Sequence, residues 1–139
     1  MENKNTLLFY AAWIVSIVAT LGSLYFSEIR GFIPCEMCWY QRILMYPLIL
    51  FLGISVFRGD FYLKWYILPI SILGIVTASI HYMEQKIPGF GGIKPCLDGV
   101  PCNIEYINYF GFVTIPFMSL IAFILITLFL LFSRKERLN

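Results

Sequence analysis

Charge is scarce in this sequence. Asp, Glu, Lys and Arg make up 13% of its 139 residues, and it contains a single histidine. A soluble domain carries about 25% charged residues, so this chain could not cover a water-facing surface. No basic run interleaved with aromatic residues is present and the net charge is only +2, which excludes a nucleic-acid partner. Glycine-rich phosphate loops, Ser/His/Asp combinations and internal repeats are missing too.

Apolar residues dominate the composition. They make up 60% of the chain, and the mean hydropathy is +0.80. Crossing about 30 Å of hydrocarbon takes about 20 apolar residues in a helix. Four windows qualify: residues 6–26, 39–57, 65–83 and 110–132. We therefore expect an all-α membrane protein, a single four-helix transmembrane domain over residues 1–139 that packs as a bundle surrounded by membrane lipid.

The basic residues predict the orientation of these helices. The termini and the second connection would share one face, and the first and third connections the other. The first face carries Lys4, Arg58, Lys64, Arg134, Lys135 and Arg137, and the second carries Arg30, Arg42, Lys86 and Lys94. We expect a multi-pass protein of the cell membrane with cytoplasmic termini and two extracytoplasmic loops. The first run is long for a secretory signal and lacks a small-x-small cleavage site.

Proline and small residues within the spans predict how the helices pack. Neighbouring helices can satisfy the carbonyls that an internal proline frees, and small residues four apart let helix backbones approach closely. The prolines are Pro47, Pro69 and Pro116, and the small pairs are Ala12/Ser16, Ala19/Ser23 and Gly74/Ala78. We assign all of these residues to packing.

The four cysteines form two pairs, Cys35/Cys38 and Cys96/Cys102, and each pair lies in a connection between apolar runs. These are the first and third connections, so both pairs are expected on the same face of a four-span protein. Oxidising surroundings outside the cytoplasm suit disulfides. Two neighbouring dithiols on a membrane-embedded bundle could pass two electrons from a partner in water to an acceptor in lipid.

The first pair lies in the segment CEMCWYQR, directly after Pro34. Proline favours a helix start close to Cys35, where the positive end of the helix dipole stabilises a thiolate. Cys38 and Arg42 are four residues apart and share a helix face. A charge so close to lipid is costly, so Arg42 is expected to oppose the Cys38 thiolate or to donate hydrogen bonds to a carbonyl oxygen that is being reduced. The alternative is an interfacial arginine that extends toward lipid phosphates.

The second pair lies in a segment rich in proline and glycine. A turn at Asp98-Gly99 would bring Cys96 and Cys102 within bonding distance. Closing so small a loop stabilises by only about 2 kcal/mol, which indicates a labile disulfide that exchanges with incoming thiolates. Two inert structural disulfides remain an alternative. A Cys₄ metal site is a second alternative, but the spacing of Cys96 and Cys102 and the oxidising exterior disfavour it, so we expect no metal.

Other polar and aromatic residues say less by themselves. His81 ends the third span, where a histidine is most often solvated at the interface. Trp39 and Tyr40 fit the aromatic belts that flank membrane spans, so we assign them no role.

These features together resemble the quinone-dependent disulfide-generating membrane proteins of the DsbB family, most closely its short Gram-positive BdbC type. The resemblance covers nearly the whole chain. It rests on the four spans, CEMCWYQR, the histidine that ends the third span and the later cysteine pair. In the vitamin K epoxide reductase-like enzymes the loop pair comes before the quinone-side C-x-x-C, whereas here the C-x-x-C comes first.

The resemblance implies a role for each site residue. Cys96 would form the mixed disulfide with a thioredoxin-fold thiol-disulfide oxidase (DsbA/BdbD-like), and Cys102 would attack Cys35. Cys38 would then face a quinone, menaquinone or ubiquinone, with Arg42 and His81 lining the same site. Electrons would pass from the partner through both pairs to the quinone.

One departure and two alternatives accompany this interpretation. Only five residues separate Cys96 from Cys102, fewer than in the longer DsbB proteins, so the surface that docks the partner must differ. A non-enzymatic membrane scaffold with two structural disulfides is a different class of function. Electron flow in the reverse direction, from quinol to partner, would use the same motifs.

Overall fold

Four long helices make up the described part of the chain. The computed structural model describes residues 2–31, 36–86 and 115–133. Helix α1 spans Glu2–Leu24 and continues as a π-helical turn, Tyr25–Ile29; α2 spans Glu36–Arg58, α3 spans Lys64–Lys86 and α4 spans Ile115–Phe132, with a 3₁₀ turn at Phe61–Leu63 before α3. No strand occurs in these residues, which confirms the all-α prediction for them.

Two glycines end the first two helical segments. Gly31 (φ 73°) follows the π-helical turn, and Gly59 (φ 67°) follows α2. Glycine reaches this left-handed region without the steric cost that a Cβ imposes, which is why it commonly terminates helices. Asp60 then accepts the backbone N–H of Tyr62 at 3.1 Å. This local bond stabilises the tight connection between α2 and α3.

Each helix packs against two neighbours, in the order α1, α2, α3, α4 and back to α1. Hydrogen bonds fix their relative directions. Arg42 at the start of α2 bonds Ser23 near the end of α1, and Lys64 at the start of α3 bonds Ser133 just beyond α4. Consecutive helices are therefore antiparallel. We call the end of the bundle that contains Arg42 the Arg42 end, and the opposite end the Lys64 end.

The outer surface of the bundle is apolar and part of its interior is polar. Large apolar side chains that expose more than 60% of their area include Leu7, Val18, Ile43, Leu50, Phe57 and Leu131. Buried hydroxyl side chains include Ser16, Thr20, Ser55, Ser71 and Thr127. A water-soluble bundle would show the opposite distribution, whereas lipid suits an apolar exterior with small and hydroxyl residues between the helices.

Three predicted spans are confirmed as helices long and apolar enough to cross a membrane. These segments are Lys4–Ile29, Trp39–Arg58 and Lys64–Met83. Pro47 and Pro69 lie inside α2 and α3 as expected. Within the described residues the apolar part of α4, Phe117–Phe132, is shorter. Residues 110–114 of the fourth predicted span lie outside the described residues, so the four-span arrangement stays a prediction.

Helices α3 and α4 approach closely along a line of buried residues, which we call the α3–α4 seam: Ser71, Gly74, Phe123 and Thr127. A Cβ at Gly74 would overlap the Phe123 ring. Thr127 donates to the Phe123 carbonyl at 2.8 Å, and the Ser71 hydroxyl lies within hydrogen-bond distance of Thr127 and 3.2 Å from that carbonyl. The close approach at Gly74 agrees with the packing role that small-residue spacing predicts. The seam adds buried hydrogen bonds to this close approach.

The Lys64 end is held by a buried charge. Lys64 exposes only 7% of its area, and its Nζ donates to the Ser133 carbonyl at 2.8 Å. Ser133 directly follows α4, and the carbonyls at the C-terminal end of a helix are unpaired acceptors that carry a partial negative charge. Lys64 is thus the first residue of α3 and a contact to α4, not a residue of the connection, where the count of basic residues placed it.

Candidate functional site

The first turns of α2 carry the motif that follows the cysteine pair. The helix begins at Glu36, which agrees with the expected start close to Cys35. Trp39, Tyr40 and Ile43 face outward and are about half exposed or more, whereas Gln41 and Arg42 are buried at 6% and 8% exposure. The helix therefore turns two polar side chains inward at the Arg42 end.

Arg42 is anchored to α1 through one residue. Its Nε donates to the Ser23 hydroxyl and its Nη2 donates to the Ser23 carbonyl, each at 2.9 Å. Hydrogen bonds to a charged group are the strong ones, and they offset part of the cost of burying a guanidinium. Arg42 thus points into the protein, which disagrees with an arginine that extends toward lipid phosphates. The assignment of Ser23 to packing alone was wrong.

An aromatic ring covers the same guanidinium. The Cζ atom of Arg42 lies 5.2 Å from the centroid of the Trp39 ring, within the range of a cation–π interaction. Composition gave Trp39 no role beyond the interfacial belt. The structure shows that it also contacts the buried charge.

His81 is buried and paired with α2. It exposes 1% of its area, which disagrees with the solvated interfacial histidine that its position alone favours. The Nε2 atom of Gln41 lies 3.0 Å from its Nδ1. With the amide nitrogen donating, Nδ1 is the acceptor and the proton of a neutral ring is on Nε2. Gln41 therefore fixes the orientation of the imidazole.

Gln41 is a site residue that sequence reasoning missed. The available signal was a polar amide within an otherwise apolar helix, directly beside Arg42. Polar groups inside membrane spans usually face other helices. Gln41 and Arg42 together tie the start of α2 to both of its neighbours, α3 and α1.

A buried hydroxyl without a partner lies one turn before Ser23 on α1. Thr20 exposes 9% of its area, and its Oγ1 has no hydrogen-bond partner among the described residues. Residues 20 and 23 are three apart and share a helix face. The Arg42 end thus contains a buried cation, an oriented imidazole and an unpaired hydroxyl.

The cysteines are the part of the predicted site that the structure does not describe. Cys38 lies in the first turn of α2, four residues before Arg42. The structure describes its backbone but not its side chain. Cys35, Cys96 and Cys102 lie outside the described residues. In the part of the chain that is described, no three His, Cys, Asp or Glu side chains are grouped to hold a metal ion.

Comparison with known proteins identifies the family. The model for "Disulfide bond formation protein DsbB" matches residues 5–133. The chain belongs to the DsbB family. The resemblance drawn from CEMCWYQR, His81 and the cysteine order is therefore confirmed.

Three relatives in the DsbB family show how far the similarity extends. "Disulfide bond formation protein C" of Bacillus subtilis (strain 168) is 62% identical over 96% of this chain and 98% of its own length. "Probable disulfide formation protein C" of Halalkalibacterium halodurans is 44% identical over 99% and 100%. "Probable disulfide formation protein" of Coxiella burnetii (strain Dugway 5J108-111) is 40% identical over 94% and 88%. No solved structure matches the chain significantly.

Proposed function

We propose that this protein is a membrane oxidoreductase that re-oxidises an extracytoplasmic thioredoxin-fold oxidase and passes the electrons to membrane quinone. Its product is a partner that can again form disulfides in other proteins. Arg42 lies four residues beyond Cys38, and its guanidinium is buried and hydrogen-bonded to Ser23. This observation carries the proposal. Membership of the DsbB family and the names of its relatives, which refer to disulfide formation, support the same activity.

The proposed reaction is a relay of two electrons. The partner's dithiol reduces the Cys96/Cys102 disulfide through a mixed disulfide on Cys96, which releases Cys102 as a thiolate. Cys102 attacks Cys35, the Cys35–Cys38 bond breaks, and Cys38 leaves as a thiolate. The partner's second thiol then attacks the mixed disulfide and releases Cys96 together with the oxidised partner. Cys96 attacks Cys102, which restores the Cys96–Cys102 disulfide and releases Cys35. The Cys35/Cys38 dithiol is then oxidised to its disulfide and gives up two electrons and two protons. A quinone supplies the acceptor for both, and it leaves as quinol.

The residues at the Arg42 end fit a quinone. A quinone offers two carbonyl oxygens that gain negative charge on reduction, and it needs donors aimed at them. Arg42 has N–H groups beyond the two from which Ser23 accepts, and the Thr20 hydroxyl is unpaired among the described residues. The His81 imidazole is oriented by Gln41, which precedes Arg42 on α2. Arg42 would also oppose the Cys38 thiolate, since four residues place both on one face of α2.

The proposed topology puts both cysteine pairs outside the cytoplasm. The distribution of Lys and Arg supports cytoplasmic termini. The described residues that flank the two cysteine segments support a common face for them. Gly31, Glu36, Lys86 and Ile115 all belong to helix ends at the Arg42 end, because consecutive helices are antiparallel.

The relay can be tested with the purified protein in lipid nanodiscs. A reduced thioredoxin-fold oxidase serves as donor, menaquinone and ubiquinone analogues serve as acceptors, and quinone absorbance reports turnover. We expect Cys38→Ser to abolish quinone reduction while a mixed disulfide with the partner still forms at Cys96. Cys96→Ser should block transfer from the partner at the first step. A scaffold would show no exchangeable thiols on alkylation and no turnover with either quinone.

The direction of electron flow needs a separate measurement. The same nanodiscs receive quinol and the oxidised form of the partner, and the partner's thiols are counted over time. Parallel nanodiscs receive quinone and the reduced partner at the same concentrations, and the proposed function predicts that this reaction is the faster of the two. Net appearance of partner thiols would instead identify a quinol-dependent reductase.

A further inference from the structure

We propose that Ser23 is a positioning residue for quinone reduction: it occupies one edge of the Arg42 guanidinium and leaves the other edge to the quinone. This inference rests on the proposed function of the Arg42 end. It adds a residue on α1 to a site that the sequence located only on α2 and α3.

The geometry divides the guanidinium into a held edge and an open edge. A guanidinium presents a side edge, formed by Nε and Nη2, and an end edge, formed by Nη1 and Nη2. Ser23 accepts from both atoms of the side edge, through its hydroxyl and its carbonyl at 2.9 Å each. Two acceptors on one residue fix the plane of the group. In the described part of the chain, no group accepts from the end edge. Ser23 therefore orients the N–H groups of this edge without accepting hydrogen bonds from them.

The acceptors on Ser23 are neutral, and this matters for the charge. Arg42 exposes 8% of its area, and none of the described carboxylates pairs with it. A carboxylate would orient the guanidinium equally well, but it would cancel the positive charge that an oxygen being reduced requires. A serine hydroxyl and a carbonyl orient the guanidinium and do not cancel its positive charge.

Ser23 differs from the other serines of this helix. The Ser16 hydroxyl donates to the Trp13 carbonyl at 2.6 Å, and the Ser27 hydroxyl donates to the Leu24 carbonyl at 3.3 Å. Both bonds stay within one helical turn, as serine hydroxyls in helices commonly do. Ser23 instead accepts a bond from another helix, just before the helix changes to the π form at Tyr25–Ile29. Ser16 and Ser27 are therefore matched controls.

Steady-state kinetics in nanodiscs provide the test. Dithiothreitol serves as donor, so the unidentified partner is not needed, and a short-chain naphthoquinone serves as acceptor. We expect Ser23→Ala to lower kcat about 10- to 150-fold, the range for losing one hydrogen bond to a charged group, with a smaller change in KM. Ser16→Ala and Ser27→Ala should keep the kcat of the unmodified protein.

Two further comparisons separate positioning from a structural effect. Threonine and valine have nearly the same shape and differ in the hydroxyl. Ser23→Val should therefore lose turnover while Ser23→Thr keeps it, and the two variants should unfold at the same temperature. In an Arg42→Lys background the side edge is absent, so Ser23→Ala should add little further loss.

The outcomes distinguish this inference from the proposed function. Turnover of Ser23→Ala and Ser23→Val equal to that of the unmodified protein would overturn the role of Ser23 and leave the proposed function standing. If Ser23→Ala caused an equal loss with Arg42 intact and in the Arg42→Lys background, the same conclusion would follow. No naphthoquinone reduction by the unmodified protein would overturn the proposed function, and this inference with it.

Discussion

At the scale of single residues, the Arg42 end is organised by hydrogen bonds from one short stretch of α2. Gln41 reaches α3 and Arg42 reaches α1, although the two residues are adjacent in sequence. Adjacent helical positions point about 100° apart, so the pair can serve two neighbouring helices at once. A single turn of helix therefore sets the orientation of both the imidazole and the guanidinium.

Replacing Gln41 by leucine tests this arrangement. The change leaves the buried Nδ1 of His81 without the amide, which should lower the free energy of unfolding by about 1–3 kcal/mol and lower the rate of quinone reduction. Thermal unfolding in nanodiscs and quinone absorbance measure the two effects. The double variant Gln41→Leu/His81→Phe should lose less stability than the sum of the two single variants. Strict additivity would show that the two side chains do not interact.

At the scale of helices, the α3–α4 seam depends on the missing side chain at Gly74. The Phe123 ring lies where a Cβ would project, while the same seam buries the hydroxyls of Ser71 and Thr127. Close packing replaces the hydrophobic driving force that lipid does not provide between helices. The position of one glycine therefore determines how closely these two helices pack.

Alanine at Gly74 should destabilise the bundle, and Gly22 offers a matched control. The new methyl group must displace the Phe123 ring, which should cost about 1–3 kcal/mol. A Cβ at Gly22 in α1 would meet nothing within 4 Å, so Gly22→Ala should be neutral or stabilising by up to about 1 kcal/mol. Thermal unfolding of both variants in nanodiscs measures the two changes in stability. Equal destabilisation of the two would contradict the described seam.

The sequence predicted some of these features well and others not at all. The helices and the start of α2 near Cys35 followed from apolar length and proline. The functional role of Arg42 stays a prediction. The sequence did not predict which residues form hydrogen bonds with Arg42 and His81. A membrane helix that is apolar on nearly every side has no polar face to show which way it is turned, so neither Ser23 nor Gln41 could be assigned a neighbour.

At the scale of the whole molecule, consecutive helices run antiparallel, so each connection belongs to one end of the bundle. The Arg42 end holds the candidate site and the flanks of both cysteine segments, whereas the Lys64 end holds the short turn at Gly59 and Asp60. Three helical segments are long enough to cross a membrane. The two ends should therefore face different compartments.

Labelling of single cysteines in intact cells tests which end faces outward. In a background with the four native cysteines replaced by serine, Glu28→Cys marks the Arg42 end and Asp60→Cys marks the Lys64 end. An impermeant maleimide should label Glu28→Cys in intact cells and Asp60→Cys only after permeabilisation. The reverse pattern would place the cysteine pairs in the cytoplasm and would contradict the proposed relay.

The bond between Lys64 and Ser133 bears on how the chain is assembled during synthesis. Arg42 finds its acceptor on Ser23, which leaves the ribosome before it, so the first two helices can enter the bilayer as a hairpin with that charge already satisfied. Lys64 must wait for a carbonyl 69 residues later, at the far end of α4. A nascent chain that stops before Ser133 therefore lacks the hydrogen bond that joins the start of α3 to the end of α4.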